Sequence, residues 1–329
     1  MQFDQLRRRD FITLIGGTAA WPLAAVAQQT GKRIGFIEAG SRAANQIFLD
    51  SFRDGLAALG WATGQNLEIM DRWVEARNER LPQILDELLT SKVDVLVTAA
   101  APASLAAKQA TQTIPIVAVG IPDPVGIDLV ASLARPGGNV TGFSSLSVEL
   151  TAKRVELLHE MLPKASLIDI LFNPKDQGAQ LAVADANTAV ARFGLISRAI
   201  EAVSPDDIER AFTRMRAESP HALFIINDPL TVSYRDRIMR LALDQRLAVI
   251  TGFRAFVASG ALASLGTSLP NDFKRAARLV DKILRGASPS ELPVEQPTEF
   301  ELAINLRTAK ELGIQVPPQL LARADEVIE

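Results

Sequence analysis

The chain has 329 residues, which is long enough for two domains of ordinary size, and its formal net charge is only −3. This balance gives no basic surface for nucleic acid or anionic lipid. Cysteine is absent and only two histidines are present. Disulfides, thiolate nucleophiles and zinc-cysteine sites are therefore excluded, and imidazole chemistry has few candidates. We expect a globular protein without a metal or a cofactor.

Residues 1–27 have the features of a twin-arginine signal peptide. Arg7-Arg8-Arg9 precede a mildly apolar segment over 11–26, and the small residues 25–27 form a cleavage site. Glycines and a proline interrupt the apolar segment, which makes it too short for a membrane anchor. We expect the mature chain to begin near Gln28, to carry no cysteine for lipid attachment, and to be free in the periplasm.

Residues 32–145 alternate between apolar strand patterns and helical patterns. Strands are predicted over 34–38, 66–74, 93–98, 114–119 and 139–145, and helices over 45–59, 79–89 and 103–110. This order predicts a parallel, doubly wound sheet with helices on both faces. Gly35, Gly40 and Gly60 lack the G-x-G-x-x-G spacing of a dinucleotide site, so a nucleotide cofactor is not expected.

The alternation restarts after residue 145 and predicts a second α/β lobe of similar plan. Strands are predicted over 166–172, 195–202, 221–226, 247–250, 260–266 and 300–304, and helices over 149–162, 177–193, 205–217, 273–284, 308–312 and 318–327. The strand at 260–266 is suited to cross between lobes because glycine tolerates unusual dihedral angles. We expect a first lobe of residues 32–143 plus about 264–290, and a second lobe of residues 144–263 plus about 291–329.

Three consecutive strands of the first lobe end in loops of small or polar residues. The loops hold Ala100 and Ala101 before a helix, Asp123 between two prolines, and Ser144 and Ser145. Each loop alone is also explained by a tight strand-to-helix turn, and Asp123 by capping of a helix that starts near residue 125. Ligands of open α/β sheets bind outside the carboxyl ends of the strands, so three such loops together predict a binding crevice.

The stretch 134–142, Ala-Arg-Pro-Gly-Gly-Asn-Val-Thr-Gly, resembles the periplasmic substrate-binding proteins of ABC transporters of the tryptophan/tyrosine type. The stretches 106–111, 114–117, 123–125, 280–284, 292–298 and 322–329 are similar as well, so the resemblance extends over nearly all of the mature chain. One departure is Leu265, which stands where the family usually has a tyrosine. The resemblance implies a type I periplasmic-binding fold, in which two doubly wound three-layer lobes enclose a ligand cleft and close on a hinge.

The resemblance also implies a role in transport. We expect a monomer that captures a small organic ligand in the cleft and delivers it to a permease and an ATPase subunit. An amino acid is the expected ligand, with aromatic, branched and other aliphatic amino acids as candidates, and other small organic acids stay open. The expected ligand-binding residues are Ala100, Ala101, Ser104, Ser144 and Ser145 for a carboxylate, Asp123 or Asp228 for an ammonium group, and Ser41, Asn173 and Phe253 for the remainder.

Two other function classes stay open at this stage. One is an exported α/β hydrolase-like enzyme, although Ser144 is outside a G-x-S-x-G motif and neither His159 nor His221 is placed by the sequence to serve it. We therefore expect no enzymatic activity. The other is a ligand-sensing module that docks on a membrane receptor and has the same cleft.

Overall fold

The structure is a computed structural model that describes residues 31–329, and the predicted signal peptide lies outside the described residues. The first sheet contains five parallel strands in the order β2-β1-β3-β4-β5. These strands are β1 (Lys32–Glu38), β2 (Leu67–Trp73), β3 (Val95–Ala99), β4 (Ile116–Ile121) and β5 (Val140–Ser144). Helices α1 (Arg42–Ala58), α2 (Leu81–Thr90) and α3 (Ala100–Ala110) connect them.

The second sheet contains seven strands in the order β12-β11-β10-β9-β8-β6-β7, and all neighbours are parallel except β10 and β11. The strands are β6 (Leu167–Phe172), β7 (Ile196–Glu201), β8 (Ala222–Ile225), β9 (Ala248–Thr251), β10 (Ala263–Gly266), β11 (Glu301–Asn305) and β12 (Glu326–Ile328). The helices of this half are α4 (Thr151–Met161), α5 (Gln177–Arg192), α6 (Pro205–Glu218), α7 (Pro229–Ser233), α8 (Arg235–Asp244), α9 (Ala255–Ala258), α11 (Leu306–Leu312) and α12 (Pro318–Leu321). The predicted pair of α/β lobes is therefore present.

Continuous apolar runs explain the buried strands of the first lobe. Every residue of β3 is buried, and so are five of the six residues of β4, because helices cover both faces of the sheet. Helix α10 (Leu269–Leu284) lies next to α1 and contributes Phe273, Ala277 and Val280 to the core. The two helices approach closely at Gly55, where a Cβ would lie 2.4 Å from the carbonyl oxygen of Lys274. Only glycine fits at this contact.

The chain passes between the lobes after β5, between β10 and α10, and before β11, because β6 to β12 form the second sheet whereas α10 packs against α1 and β4. The first and third passages lie side by side, because Ser144 N donates to the carbonyl oxygen of Glu295 over 3.0 Å. The second passage was predicted at about residue 264, and it stays a prediction; β10 (Ala263–Gly266) pairs with β9 and β11 in the second sheet. We propose that the second passage lies between Gly266 and Leu269.

Two local expectations are wrong, and three helices were not predicted. Residues 318–327 were expected to form one helix, but only Pro318–Leu321 is helical, and β12 pairs with β11. No helix starts near residue 125, because the Asp123 carboxylate accepts from Gly126 N over 2.9 Å and closes a turn. Helices α7, α8 and α9 were not predicted. Among residues 31–329, no helix combines the length and apolar character needed to cross a bilayer.

Candidate functional site

A cleft lies between the lobes, at the carboxyl ends of strands from both sheets. The first lobe contributes an apolar wall with a polar corner, formed by Glu38, Asn45, Phe48, Ala99, Ala100, Ala101 and Phe273. The second lobe contributes charged and amide side chains, namely Arg154, Asp176, Asn227 and Asp228, together with Phe253. The two walls therefore differ in chemistry, and charged groups are concentrated on the second lobe.

Arg154 is a buried cation in this cleft. It lies on the core-facing side of α4 and is only 4% exposed. Its Nε donates to the carbonyl oxygen of Leu265 over 2.7 Å, and Nη1 donates to the carbonyl oxygen of Ser147 over 2.8 Å. Burial lowers the pKa of Arg154 to about 10, and no described carboxylate offsets that shift. The guanidinium stays charged at neutral pH, and a buried charge of this kind is costly without a counter-ion.

Asp228 is a buried carboxylate held by the start of α7. Its Oδ1 accepts from Leu230 N over 2.7 Å and from Thr231 N over 3.2 Å, while its Oδ2 has no hydrogen-bond partner among the described residues. Burial, and then the charge of Asp176, raise the pKa of Asp228 to about 7. A cation placed beside Oδ2 would favour the ionised form of this carboxylate.

Asp176 is the second carboxylate of this wall. It caps α5, because its Oδ1 accepts from Ala179 N over 3.0 Å, and it is only 4% exposed. Burial raises the pKa of Asp176 as well. Two buried carboxylates that repel one another make this part of the cleft suited to a cation.

Asn227 lies beside the free edge of the Arg154 guanidinium. Its Oδ1 accepts from Thr251 Oγ1 over 2.9 Å and from Gly252 N over 2.8 Å, which leaves Nδ2 without a partner among the described residues. A Cβ at Gly252 would lie 2.6 Å from Arg154 Nη2 and 2.9 Å from Asn227 Oδ1. A side chain at this position would displace the guanidinium or the amide, which form a pair of donors suited to an anion.

Aromatic side chains form the opposite wall. The rings of Phe48 and Phe273 stack with centroids 5.0 Å apart, and Phe48 also contacts Phe253 of the second lobe at 5.9 Å. Ala100 has a φ of 68°, in a region that an alanine rarely adopts, at the first residue of α3. The apolar wall can receive an apolar or aromatic part of a ligand.

The structure brings five of the ten predicted site residues to the wall of the cleft. They are Ala100, Ala101, Ser145, Asp228 and Phe253. Whether they contact a ligand stays a prediction.

The other five predicted residues do not line the cleft, and their polar groups have local partners. Ser41 caps α1, Ser104 Oγ bonds Thr98 Oγ1, Asp123 closes its turn, Ser144 Oγ accepts from Leu146 N, and Asn173 Oδ1 accepts from Lys175 N. A side chain whose oxygen already accepts from a nearby backbone N–H is less available to a ligand. These local bonds are typical of short polar residues in turns and at helix starts.

Sequence reasoning missed several residues of the cleft. Arg154 had a detectable signal, because it falls on the same helical face as Leu158 and Met161 and so places a charge on an apolar face. Asn227 directly precedes Asp228, which was singled out. Asp176 follows β6 and Glu38 is the last residue of β1, in opposite lobes, and only the tertiary arrangement brings them to one cavity.

The two histidines lie away from the cleft walls. His159 packs against Phe193 with ring centroids 5.0 Å apart, and His221 Nδ1 accepts from Leu167 N over 3.3 Å. Neither residue lines the cleft beside Ser145. Within the described residues, a serine-histidine catalytic pair at this cleft is therefore not formed.

Comparisons with known proteins agree with this architecture. The family described as ABC transporter substrate binding protein matches residues 34–328. A tyrosine-binding protein of Clostridioides difficile (strain R20291) is 28% identical over 267 residues, which are 80% of this chain and 76% of that protein.

Two solved structures are also similar. A conserved domain protein of Vibrio cholerae has a TM-score of 0.85 and 30% identity, over 90% of this chain and 99% of that one. An ABC domain from Streptococcus pneumonia in complex with L-Trp has a TM-score of 0.85 and 25% identity, over 91% of this chain and 100% of that one. The predicted type I periplasmic-binding fold is confirmed. The chain belongs to the ABC transporter substrate-binding protein family.

Proposed function

We propose that this protein is the periplasmic solute-binding component of an ABC importer and that its ligand is an α-amino acid. One observation carries the proposal. A buried arginine without a carboxylate partner and a pair of buried carboxylates line one wall of the same cleft. An α-amino acid at neutral pH presents the two complementary charges, one carboxylate and one ammonium group, both attached to its α-carbon.

In the proposed complex, the ligand carboxylate contacts Arg154 and Asn227. The ammonium group contacts Asp228 and Asp176. The ligand carboxylate was expected at the loop residues Ala100, Ala101 and Ser145, and the proposed complex places it at the Arg154 guanidinium instead. A charge-assisted bond to a guanidinium is stronger than bonds to neutral N–H groups. The ligand side chain then extends toward the first lobe.

The named relatives support the ligand class. One is a tyrosine-binding protein, and one was solved with L-Trp. Aromatic side chains suit a wall that contains Phe48 and Phe273. Leu265 replaces the usual family tyrosine, but its contact with Arg154 is made by its backbone carbonyl. The replacement therefore leaves the arginine in place.

Contacts across the cleft support hinge closure as the mode of capture. Ser41 N of the first lobe donates to Ser233 Oγ of the second over 2.9 Å, and Arg235 Nη1 donates to the carbonyl oxygen of Ala44 over 3.1 Å. A permease can distinguish a closed, loaded protein from an open one. In this proposal the protein acts as a monomer, without catalysis and without nucleic acid, after export by its signal peptide.

The test is a ligand screen on the mature chain from Gln28. Its thermal unfolding midpoint is measured against single amino acids and small carboxylates. A ligand at 100 times its dissociation constant stabilises a protein by about 2.7 kcal/mol, which shifts the midpoint by a few degrees. We expect a shift with one group of amino acids and recovery of the ligand unchanged. No shift with any amino acid would contradict the proposed function, and a changed ligand would indicate an enzyme.

A further inference from the structure

The first-lobe wall holds two acceptor atoms that no described residue satisfies. Glu38 and Asn45 line the cleft and are 3% and 2% exposed. Glu38 Oε1 accepts from Gly40 N over 2.9 Å and from Asn45 Nδ2 over 3.0 Å. Glu38 Oε2 and Asn45 Oδ1 have no partner among residues 31–329.

These two unpaired acceptors lower the stability of the fold unless a ligand donates hydrogen bonds to them. A buried acceptor without a donor loses its hydration and gains nothing in return. The structural task of Glu38 is completed by Oε1 alone, which holds the Gly40 backbone. Gly40 packs tightly against the same pair of side chains, because a Cβ there would lie 2.5 Å from Asn45 Nδ2. The second carboxylate oxygen therefore has no local role.

The unpaired atoms of Glu38 and Asn45 are hydrogen-bond acceptors. Asn45 already uses Nδ2 to donate to Glu38, so its free atom is the carbonyl oxygen Oδ1. An ionised carboxylate only accepts. Burial raises the pKa of Glu38 to about 7, so the carboxylate is ionised in mildly alkaline solution. With Glu38 ionised, a ligand that fits this corner must bring an N–H or O–H group.

We propose that the cleft selects an amino acid whose side chain ends in a hydrogen-bond donor, and that Glu38 and Asn45 receive this donor. The inference rests on the proposed function. The charged end of the ligand is held by the second lobe, the apolar stem of its side chain lies against Phe48 and Phe273, and the terminal donor reaches Glu38 Oε2. Glu38 is then the residue that determines specificity.

The site should strongly prefer a ligand with a terminal donor over the analogue that lacks it, because the analogue leaves the buried acceptors of Glu38 and Asn45 unpaired. A site built to bond a terminal hydroxyl or amine rejects the analogue that lacks it far more strongly than an apolar pocket separates two hydrocarbons. We expect at least a tenfold difference in dissociation constant, or about 1.4 kcal/mol, between a donor-bearing ligand and its matched analogue.

The experiment is isothermal titration calorimetry of the full mature chain at about pH 8 with matched pairs of amino acids. The pairs are tyrosine with phenylalanine, and lysine with norleucine. The Glu38→Gln variant keeps an oxygen for Gly40 and replaces the free acceptor by an amide donor. Glu79→Gln is the matched control, because Glu79 is exposed and does not line the cleft. Thermal unfolding of each variant verifies that it is folded.

Support requires that the donor-bearing member of a pair binds the native protein at least tenfold more tightly. The Glu38→Gln variant must lose that preference mainly through weaker binding of the donor, and Glu79→Gln must keep it. Equal binding within every pair that binds, or an unchanged preference in Glu38→Gln, would overturn the inference while leaving the proposed function standing. Failure of all amino acids to bind would overturn both.

Discussion

At the scale of single residues, the cleft carries more buried charge than its own partners neutralise. Arg154 has backbone carbonyl partners, while Asp228 Oδ2 and Glu38 Oε2 have none among the described residues. Groups of this kind are rare in a core without function, because burial penalises the charged form. Their clustering in one cavity indicates a site that is completed by a polar ligand.

The two raised carboxyl pKa values predict a pH dependence of stability. Burial raises the pKa of Glu38 from 4.5 and that of Asp228 from 3.8, in both cases to about 7. Between about pH 4.5 and pH 7 the folded chain keeps protons that the unfolded chain has lost. The free energy of unfolding contributed by these groups therefore falls as pH rises through this window, by up to about 1.4 kcal/mol per pH unit for each group.

Chemical denaturation of the ligand-free protein at about pH 5 and pH 8 measures this effect. Because other groups also titrate, the informative quantity is the difference between the native protein and Glu38→Gln or Asp228→Asn. Each variant should be more stable relative to the native protein at pH 8 than at pH 5. A difference that stays constant with pH, or that changes in the opposite direction, would disprove the assigned shifts.

At the scale of secondary-structure elements, α7 links the site to the fold. This helix has five residues and begins with a capping box in which Asp228 accepts from Thr231 N and Thr231 Oγ1 accepts from Asp228 N. The same aspartate therefore starts the helix with one oxygen and faces the cleft with the other. Its structural and binding roles can be separated by two substitutions.

Asp228→Asn should keep the cap, because asparagine is among the favoured N-cap residues, but should remove the charge. We expect near-native stability at pH 5 and at least about 30-fold weaker amino-acid binding, since breaking a buried charge pair costs about 2–5 kcal/mol. Asp228→Ala should lose the same affinity and a further ~1 kcal/mol of stability with the cap. Calorimetry and denaturation measure the two effects, and native affinity in Asp228→Asn would exclude the ammonium contact.

Most elements of the fold could be predicted from the sequence because buried parallel strands are continuous apolar runs. Strand β12 could not, since residues 326–328 have a helical pattern and pair with β11 only in the tertiary structure. Helix α7 is too short for an apolar period, and its capping box decides its start. Part of the site could be predicted, because strand-end loops indicate the cleft. Arg154 could not be placed there, because it reaches the cleft from a helix of the other lobe.

At the scale of the whole molecule, binding is coupled to the contact between the lobes. Ser233 Oγ, at the end of α7, accepts from Ser41 N across the cleft. In the proposed mechanism these interlobe contacts form when the lobes close on the ligand. Their free energy is therefore part of the measured binding free energy. A substitution that weakens only the interlobe contact should therefore lower the affinity without touching the ligand.

Ser233→Ala removes the oxygen that Ser41 N donates to. We expect the dissociation constant to rise about fivefold, the equivalent of one hydrogen bond of about 1 kcal/mol. Ser197→Ala, which removes an exposed bond to Asn187 in the second lobe, is the control. Small-angle scattering should show a decrease in radius of gyration on ligand binding for all three proteins. An unchanged radius in the native protein would argue against hinge closure.

The most direct measurement of the central claim is the affinity of Arg154→Met for the amino acid that the native protein binds most tightly. Methionine has a similar volume and no charge, so the ligand-free variant loses two hydrogen bonds to backbone carbonyls and also the cost of a buried charge. Thermal unfolding of the ligand-free variant verifies that it is folded. Arg285→Met, an exposed arginine on α10's C-terminal end paired with Asp281, serves as the control. The account predicts at least about 30-fold weaker binding in Arg154→Met and native binding in the control. Binding by Arg154→Met within a factor of about three of the native value would contradict it.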